Sequence, residues 1–296
     1  MKNIIYFFLL NTIFCFSQNK FLIVDSMTKE PLPFILVKFN NNDGGYSNEK
    51  GSILINDEIV TLELREVGYE TKKVLVSTIK DTINLDPHPQ VLEEITISNF
   101  KEKKKINSLK SPTIFGNCIL VPESEIISIL FPASEVSGFY IDDITFYFIK
   151  LKGSKYRNVL KDELAVVRIN IYDLKDEIPN KLIFSSKPLK INAYEKDNIS
   201  ISIKDEYITF ENTGIAFAIE YIGNINVHGE LYKSKDIYLR PELIEDKSKF
   251  FKGNLLQRFQ LKQNKLIDLI DIWNEGFSDN RKISGRLLNI SLNLSK

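Results

Sequence analysis

Apolar and polar residues alternate in short runs through the first hundred residues of the chain. The clearest run is VTLELREVGYETKKVLV, Val60–Val76, in which the alternation stops at Gly68 and Tyr69 and then resumes. Other runs rich in β-branched residues are separated by Gly, Pro, Asn and Asp: FLIVD, FILVKF, GSILI, DTINL and EEITIS. Such runs predict an all-β sandwich over residues 18–98. Gly68 is expected at a bend, and Tyr69 brings a ring to bury and a hydroxyl to satisfy.

The alternation is more regular over residues 114–296. Five segments carry it: DITFYFIKL, VVRINIYDL, NISISIK, GIAFAIEYI and RLLNISLNLS. In the second segment, the apolar residues from Val167 to Ile171 alternate with Arg168, Asn170 and Tyr172. A period of two predicts one buried face and one solvated face for each strand. This block is therefore predicted to be a second, larger β-sandwich of jelly-roll-like arrangement.

Residues 99–113 differ in character from both blocks. They read NFKEKKKINSLKSPT, with four lysines in the five residues KEKKK. Like charges repel and extend a chain, so this segment is predicted to be a solvated linker between two domains. A basic contact patch is the alternative.

One segment of the second block has helical rather than strand-like spacing. The apolar residues that follow this spacing are Leu266, Leu269, Ile270 and Trp273. The spacing predicts a short helix near residues 264–275 that covers one end of the sandwich, and an irregular aromatic strand is the alternative.

The chain begins with the pattern of a secretory signal peptide. Lys2 is followed by a largely apolar run from Ile4 to Phe16, and Ser17 is a small residue at the point where the polar chain begins. We expect residues 1–17 to be removed. Cys15 raises the alternative of a lipidated N-terminus, but the residue before it is bulky, unlike that of a lipoprotein signal.

The overall charge excludes two classes of partner. The chain has 39 basic and 39 acidic side chains, so it lacks the basic surface that nucleic acid or an anionic membrane would require. No other run reaches 18 apolar residues, so no transmembrane segment is expected after the signal is removed. Cys118 is then a lone thiol, and the simplest interpretation is a small buried apolar residue.

Four segments of the first block resemble a known module. They are VDSMTKEPLPFILVKF, GYSNEKGSILI, VGYET and LEEITIS, in this order. They are similar to the carboxypeptidase regulatory-like domain, an Ig/transthyretin-like (prealbumin-like) β-sandwich. The resemblance implies structural roles for Gly51, before a strand of the hairpin, and for Gly68 and Tyr69 at the bend.

The resemblance also carries functional expectations. In this family the domain is a non-catalytic accessory, and it is similar to the N-terminal extension of TonB-dependent outer-membrane receptors. The second block is weakly similar, in VRINIYDLKDEIPNKLIF and GIAFAIEYIG, to β-rich domains of uncharacterised envelope proteins. No activity follows from that similarity.

The sequence gives little support for metal binding or catalysis by histidine or cysteine. The two histidines, His88 and His228, are 140 positions apart and have no metal-ligand spacing, so a zinc carboxypeptidase site is not supported. No GxSxG motif is present, and no cysteine-protease motif surrounds Cys118. His228 is the candidate for general-base chemistry, and a structural or exposed turn residue is the alternative.

The acidic residues give no clear site either. Glu93-Glu94 and Asp142-Asp143 are neighbours on predicted strands and should point to opposite faces. Three distant carboxylates of the second block could converge in space: Asp173, Asp205 and Glu220. NNNDGG offers side-chain oxygens of the kind that bind calcium, but its spacing is not that of an EF-hand, and the simpler interpretation is a turn. We therefore predict no metal and no cofactor.

Together these features predict a non-enzymatic exported protein of a bacterial envelope. It is expected in the periplasm or at the outer membrane, where it would bind or scaffold a glycan or a protein. The alternatives are an envelope hydrolase that uses carboxylates or His228 of the second domain, and an accessory of a TonB-dependent transporter.

Overall fold

The computed structural model describes residues 18–40, 43–88, 102–106, 119–149, 164–192, 198–233, 239–245, 251–259, 266–268 and 286–296. These residues form strands and turns, and the helices among them are single 3₁₀ turns at Val76–Thr78 and Lys204–Glu206. The all-β prediction is confirmed. In the described part of the chain, no helix has the length and apolar character to cross a membrane. The chain divides into unit 1, Met1–Pro89, and unit 2, Gln90–Lys296.

Unit 1 contains two small sheets. Its described strands are β1 Gln18–Asp25, β2 Leu36–Phe39, β3 Asp43–Tyr46, β4 Ser52–Asn56, β5 Thr61–Arg65, β6 Lys72–Leu75 and β7 Thr82–Leu85. One sheet has the order β4-β1-β7, with β1 antiparallel to β4 and parallel to β7. The other has the order β3-β2-β5-β6 and is antiparallel throughout.

The core of unit 1 is formed by alternate residues of these strands. In β5, Leu62 and Leu64 are fully buried, whereas Thr61 and Arg65 are exposed. They share one apolar cluster with residues of the other sheet, including Ile23 of β1. The alternation within Val60–Val76 therefore gives β5 and β6, each with one face toward the core.

The break at Gly68 and Tyr69 is the turn between β5 and β6. The backbone N–H of Tyr69 donates to Glu66 O at 3.3 Å. The Tyr69 hydroxyl donates to Asp25 Oδ2 at 2.9 Å, and Asp25 Oδ1 accepts from the backbone N–H groups of Met27 and Thr28 at 2.7 and 2.8 Å. Burial and this bond to Asp25 raise the pKa of Tyr69 to about 12. The turn is thus tied to the end of β1.

Gly51 and Gly68 both have left-handed backbone geometry, with φ of +73° and +81°. A Cβ at Gly51 would lie 2.9 Å from Ile23 O and 3.0 Å from Leu32 N, whereas a Cβ at Gly68 would meet no atom within 4 Å. Gly51 is therefore required by both its conformation and a close backbone approach, and Gly68 by its conformation alone.

A series of three Gly→Ala variants should separate these two effects. We expect Gly51→Ala to lower the free energy of unfolding of unit 1 by about 2 kcal/mol and Gly68→Ala by about 1 kcal/mol, since a Cβ is disfavoured at left-handed φ. Gly45→Ala is the matched control, because its φ is not in the left-handed region and its Cβ meets nothing within 4 Å. Denaturant unfolding would measure the series, and equal losses at positions 45 and 51 would contradict it.

Unit 2 contains the longer strands. Those described are β8 Lys103–Ile106, β9 Ser124–Pro132, β10 Phe139–Tyr147, β11 Leu164–Lys175, β12 Ile178–Ser185, β13 Leu189–Ile191, β14 Asn198–Ser202, β15 Thr209–Phe210, β16 Ile215–Ile225, β17 Leu231–Tyr232, β18 Leu243–Glu245, β19 Phe251–Phe259, β20 Leu266–Asp268, β21 Arg286–Leu288 and β22 Ile290–Ser295.

Two sheets of unit 2 enclose its main core. In the described part, the larger sheet has the order β12-β11-β16-β9-β19-β20, with β13 beside β11 and β17 beside β16. The smaller sheet has the order β14-β10-β22-β8, with β15 beside β10, and β18 pairs with β21 separately. Phe146 and Leu292 of the smaller sheet share one buried cluster with Ile169, Phe217 and Tyr221 of the larger sheet. The two sheets therefore pack as a sandwich.

The second face of the larger sheet is not solvated, and this part of the sequence prediction is wrong. Arg168, Asn170 and Tyr172 are only 3–5% exposed. On the same face, Ile127 and Ala218 belong to a second buried apolar cluster. A period of two predicts that two sets of side chains point in opposite directions, but it does not predict whether both faces are covered.

The Lys-rich segment also differs from its prediction. Within the predicted linker 99–113, β8 pairs with β22 along the edge of the smaller sheet, and Ile106 is buried in the core of unit 2. Lys104 lies with its Nζ 4.6 Å from the centre of the Phe139 ring. Its apolar stem can therefore cover the core while its charge stays at the surface. Residues 99–101 and 107–113 of this linker lie outside the described residues.

The predicted helix near residues 264–275 is wrong where the structure describes it. Leu266–Asp268 form β20, whose backbone pairs antiparallel with Leu256–Arg258 of β19. The ladder with β19 satisfies this backbone without a helix. Residues 264–265 and 269–275 lie outside the described part of the chain, as do the predicted signal peptide, Cys15, Cys118 and Glu93-Glu94.

Candidate functional site

Neither histidine belongs to a catalytic arrangement among the described residues. His228 is exposed in the turn after β16, where its backbone N–H donates to Asn226 Oδ1 at 2.9 Å. His88 is also exposed, with Nδ1 3.8 Å from Glu70 Oε1. In the described part of the chain, no three His, Cys, Asp or Glu side chains are grouped so that they could hold a metal ion.

Asp142 and Asp143 lie on the same face of β10, contrary to the expectation for strand neighbours. The register between β10 and β22 shifts between Ile141 and Asp143. Asp142 Oδ1 accepts from Ser295 Oγ at 2.7 Å, and Asp143 Oδ2 accepts from Asn293 Nδ2 at 2.8 Å. The extra residue of a β-bulge changes the direction of the side chain, which alternation alone does not predict.

Of the three distant carboxylates that could converge, Glu220 is the one that lies beside another described carboxylate. Asp173 and Asp205 lie at the surface, the latter in the 3₁₀ turn after β14. Glu220 lies on β16 directly opposite Glu125 of β9. Both are almost completely buried, with 3% and 0% of the residue exposed.

This pair is the centre of a charged row across four neighbouring strands. Arg168 of β11 is the register partner of Glu220, Glu220 of Glu125, and Glu125 of Arg258 on β19. Arg168 Nη1 lies 3.6 Å from Glu220 Oε2, and Arg258 Nη1 lies 3.8 Å from Glu125 Oε2. Each carboxylate thus has an arginine on its outer side. We call these four residues the Arg–Glu–Glu–Arg row.

Two side chains of β11 donate hydrogen bonds to the carboxylates of the row. Asn170 Nδ2 donates to Glu125 Oε1 at 3.0 Å and to Glu220 Oε2 at 3.1 Å. The Tyr172 hydroxyl donates to Glu125 Oε1 at 2.7 Å. Asn170 Oδ1 accepts from Ser185 Oγ at 2.8 Å, which fixes the orientation of the amide. The two carboxylates are therefore held close together by one amide nitrogen.

The burial of the row changes its acid–base behaviour. Burial raises the pKa of Glu125 to about 7, and the charge of Glu220 adds to this rise, whereas Arg258 opposes it. Burial, together with the nearby Glu125, raises the pKa of Tyr172 well above its ordinary value. A protonated acid beside a second carboxylate is the arrangement of a retaining glycosidase, whose carboxyl groups are about 5 Å apart. Here, however, both carboxyl groups are covered.

The sequence contained a signal for this row that the search for motifs missed. Arg168, Glu220 and Glu125 are each a single charge within a run of apolar residues: VVRINI, AFAIEYI and SEIISIL. A lone charge in a strand core is costly unless it is paired, so such residues predict one another as partners.

A second candidate lies at the surface of unit 1. A depression of about 390 Å³ opens on the outer face of β2, β5 and β6. Lys38, Glu63 and Lys73 form a cross-strand row on this face, and Arg65 lies two residues beyond Glu63. Lys73 Nζ lies 3.2 Å from Glu63 Oε2, and Arg65 donates to Glu63 Oε1. We call this surface the charged depression.

The charges of this depression do not cancel. Among the described residues that line it, Lys38, Arg65 and Lys73 carry three positive charges, and Glu63 carries one negative charge. Partial burial raises the pKa of Glu63, but its hydrogen bonds to Lys73 and Arg65 outweigh burial and lower the pKa overall. The described lining of the depression therefore carries a net positive charge.

Comparisons with protein-family models, with curated proteins and with solved structures found no match to this chain.

Proposed function

We propose that this chain is an exported, non-enzymatic protein of a bacterial envelope that binds a glycan or a protein partner through unit 1. The observation that carries the proposal is the charged depression, which is open, is 390 Å³ in volume and holds an excess of positive charge. Ligand sites are concave surfaces of roughly this size with a few convergent polar groups. The resemblance of unit 1 to an accessory module supports the same function.

Export to the periplasm or the outer membrane is part of this proposal. The apolar run from Ile4 to Phe16 and the small Ser17 support removal of residues 1–17.

A hydrolase is the second candidate, favoured by the Glu125–Glu220 pair with its raised acid pKa. Two features make it the weaker one. Glu125 is 0% exposed, so no substrate atom reaches it in this conformation. Arg168 and Arg258 each lie beside a carboxylate, as in a structural ion-pair network.

Binding and turnover can be tested together. We expect the purified protein to bind partners on a glycan array or in cross-linked envelope extracts, and Lys38→Ser with Arg65→Ser to weaken this binding about tenfold because two charges are lost. Lys20→Ser is the matched control, since Lys20 is exposed on the other sheet of unit 1. We also expect no turnover of glycoside or peptide substrates.

Two results would contradict the proposal. One is equal binding by the double variant and the Lys20→Ser control. The other is turnover that disappears in both Glu125→Gln and Glu220→Gln, which would establish the hydrolase instead.

A further inference from the structure

The open edge of β6 borders the charged depression. Within the described residues, β6 is the last strand of its sheet and pairs with β5 alone. Val76 N donates to Val60 O at 2.9 Å, so Lys72, Val74 and Val76 direct their backbone groups toward β5. By alternation, Lys73 and Leu75 direct theirs away from it. Leu75 O accepts from Thr78 Oγ1 at 2.7 Å, which leaves the N–H groups of Lys73 and Leu75 and the Lys73 carbonyl available on this edge.

The side chains of β6 define what an added strand should carry. Lys38, Glu63 and Lys73 alternate in charge across three strands, so the next position, opposite Lys73, suits an acidic residue. Leu75 is 49% exposed on the same face and suits an apolar partner. Val74 packs against the core from the other face, so the residue opposite it should also be apolar.

Other occupants fit this edge less well. Lysines on an edge strand repel one another, so Lys72 and Lys73 disfavour pairing with the β6 of a second copy. No aromatic side chain is among the described residues that line the depression, so a sugar would lack a ring for stacking there.

We propose that β6 receives an extended acidic peptide segment of a partner protein as a fifth strand. An acidic residue of the peptide lies opposite Lys73, and apolar residues lie opposite Val74 and Leu75. Main-chain hydrogen bonds provide affinity, and the side chains on the two faces provide specificity. This inference rests on the proposed binding function and identifies its partner as a peptide.

Three matched peptides test the proposal. The first is acetyl-Thr-Val-Val-Glu-Val-Thr-amide, the second has Lys in place of Glu, and the third has Pro in place of the first Val, which lies opposite Leu75 and directs its N–H toward β6. We expect the Glu peptide to bind the full chain and to shift the NMR signals of the β6 amides. The Pro peptide should bind at least tenfold more weakly, because proline lacks the N–H and fits poorly into a paired strand.

A charge exchange provides the specificity test. Lys73→Glu should weaken binding of the Glu peptide about tenfold and strengthen binding of the Lys peptide by a similar factor, because the charge opposite the peptide is reversed. Lys20→Glu, the same change on the other sheet, should alter neither affinity. The reciprocal gain for the Lys peptide separates recognition from simple loss of folding.

The result that overturns the inference is equal binding of the Glu and Pro peptides, or shifts outside β6. If the wild type binds polygalacturonate but none of the peptides, and Lys73→Glu abolishes this binding, the depression is a glycan site instead. If the peptides fail while Lys38→Ser with Arg65→Ser still reduces partner binding, the proposed function stands and this inference alone is wrong.

Discussion

Replacement of Phe217 by alanine should lower the free energy of unfolding of unit 2 by about 4 kcal/mol. Phe217 lies in β16, is completely buried and contacts the Phe210 ring edge-to-face, with ring centres 6.5 Å apart. It belongs to the cluster that joins the two sheets of unit 2. Truncation therefore removes apolar contacts from both sheets and leaves a cavity that strands can fill only partly.

Hydrogen exchange of the β16 amides, together with denaturant unfolding, would measure this effect. Val227→Ala is the matched control, because Val227 is 70% exposed in the turn that follows β16. It should change stability by less than about 0.5 kcal/mol. Similar losses in the two variants would mean that Phe217 is not part of the core that holds the sheets together.

The fold class could be predicted because strand alternation is a local signal. The apolar residues of VVRINIYDL that were predicted to be buried, such as Ile169, are in the core. Alternation alone did not predict the burial of Arg168 on the opposite face, because burial there depends on what covers that face. The helical spacing after Leu266 also misled the prediction, since four apolar residues in a short segment fit either structure.

The candidate sites were harder to predict because both depend on strand register. Glu125 and Arg258 are far apart in sequence and become neighbours only when β9 pairs with β19. The same holds for Lys38 and Lys73, which are brought to one face by their pairing with β5. Register is set by long-range packing, so a motif search along the chain does not detect such sites.

The stability of unit 2 should fall by about 3 kcal/mol between pH 4.5 and pH 7 because of Glu125. Its pKa is raised from 4.5 to about 7 in the folded protein, chiefly by burial. Below pH 4.5 the carboxyl group is protonated in both the folded and the unfolded states. As the pH rises, the unfolded state releases this proton first and is favoured, until the folded state also ionises near pH 7.

Glu125→Gln should remove this pH dependence, since an uncharged amide of similar shape resembles the protonated acid and can still accept from Asn170 and Tyr172. The measurement is the difference in free energy of unfolding between variant and wild type from pH 4 to pH 8. Glu211→Gln, at an exposed turn of unit 2, is the control. Its free energy of unfolding should stay close to that of the wild type at every pH. A difference that does not change with pH, or a wild type that gains stability toward pH 7, would mean that Arg258 holds Glu125 ionised in the folded protein.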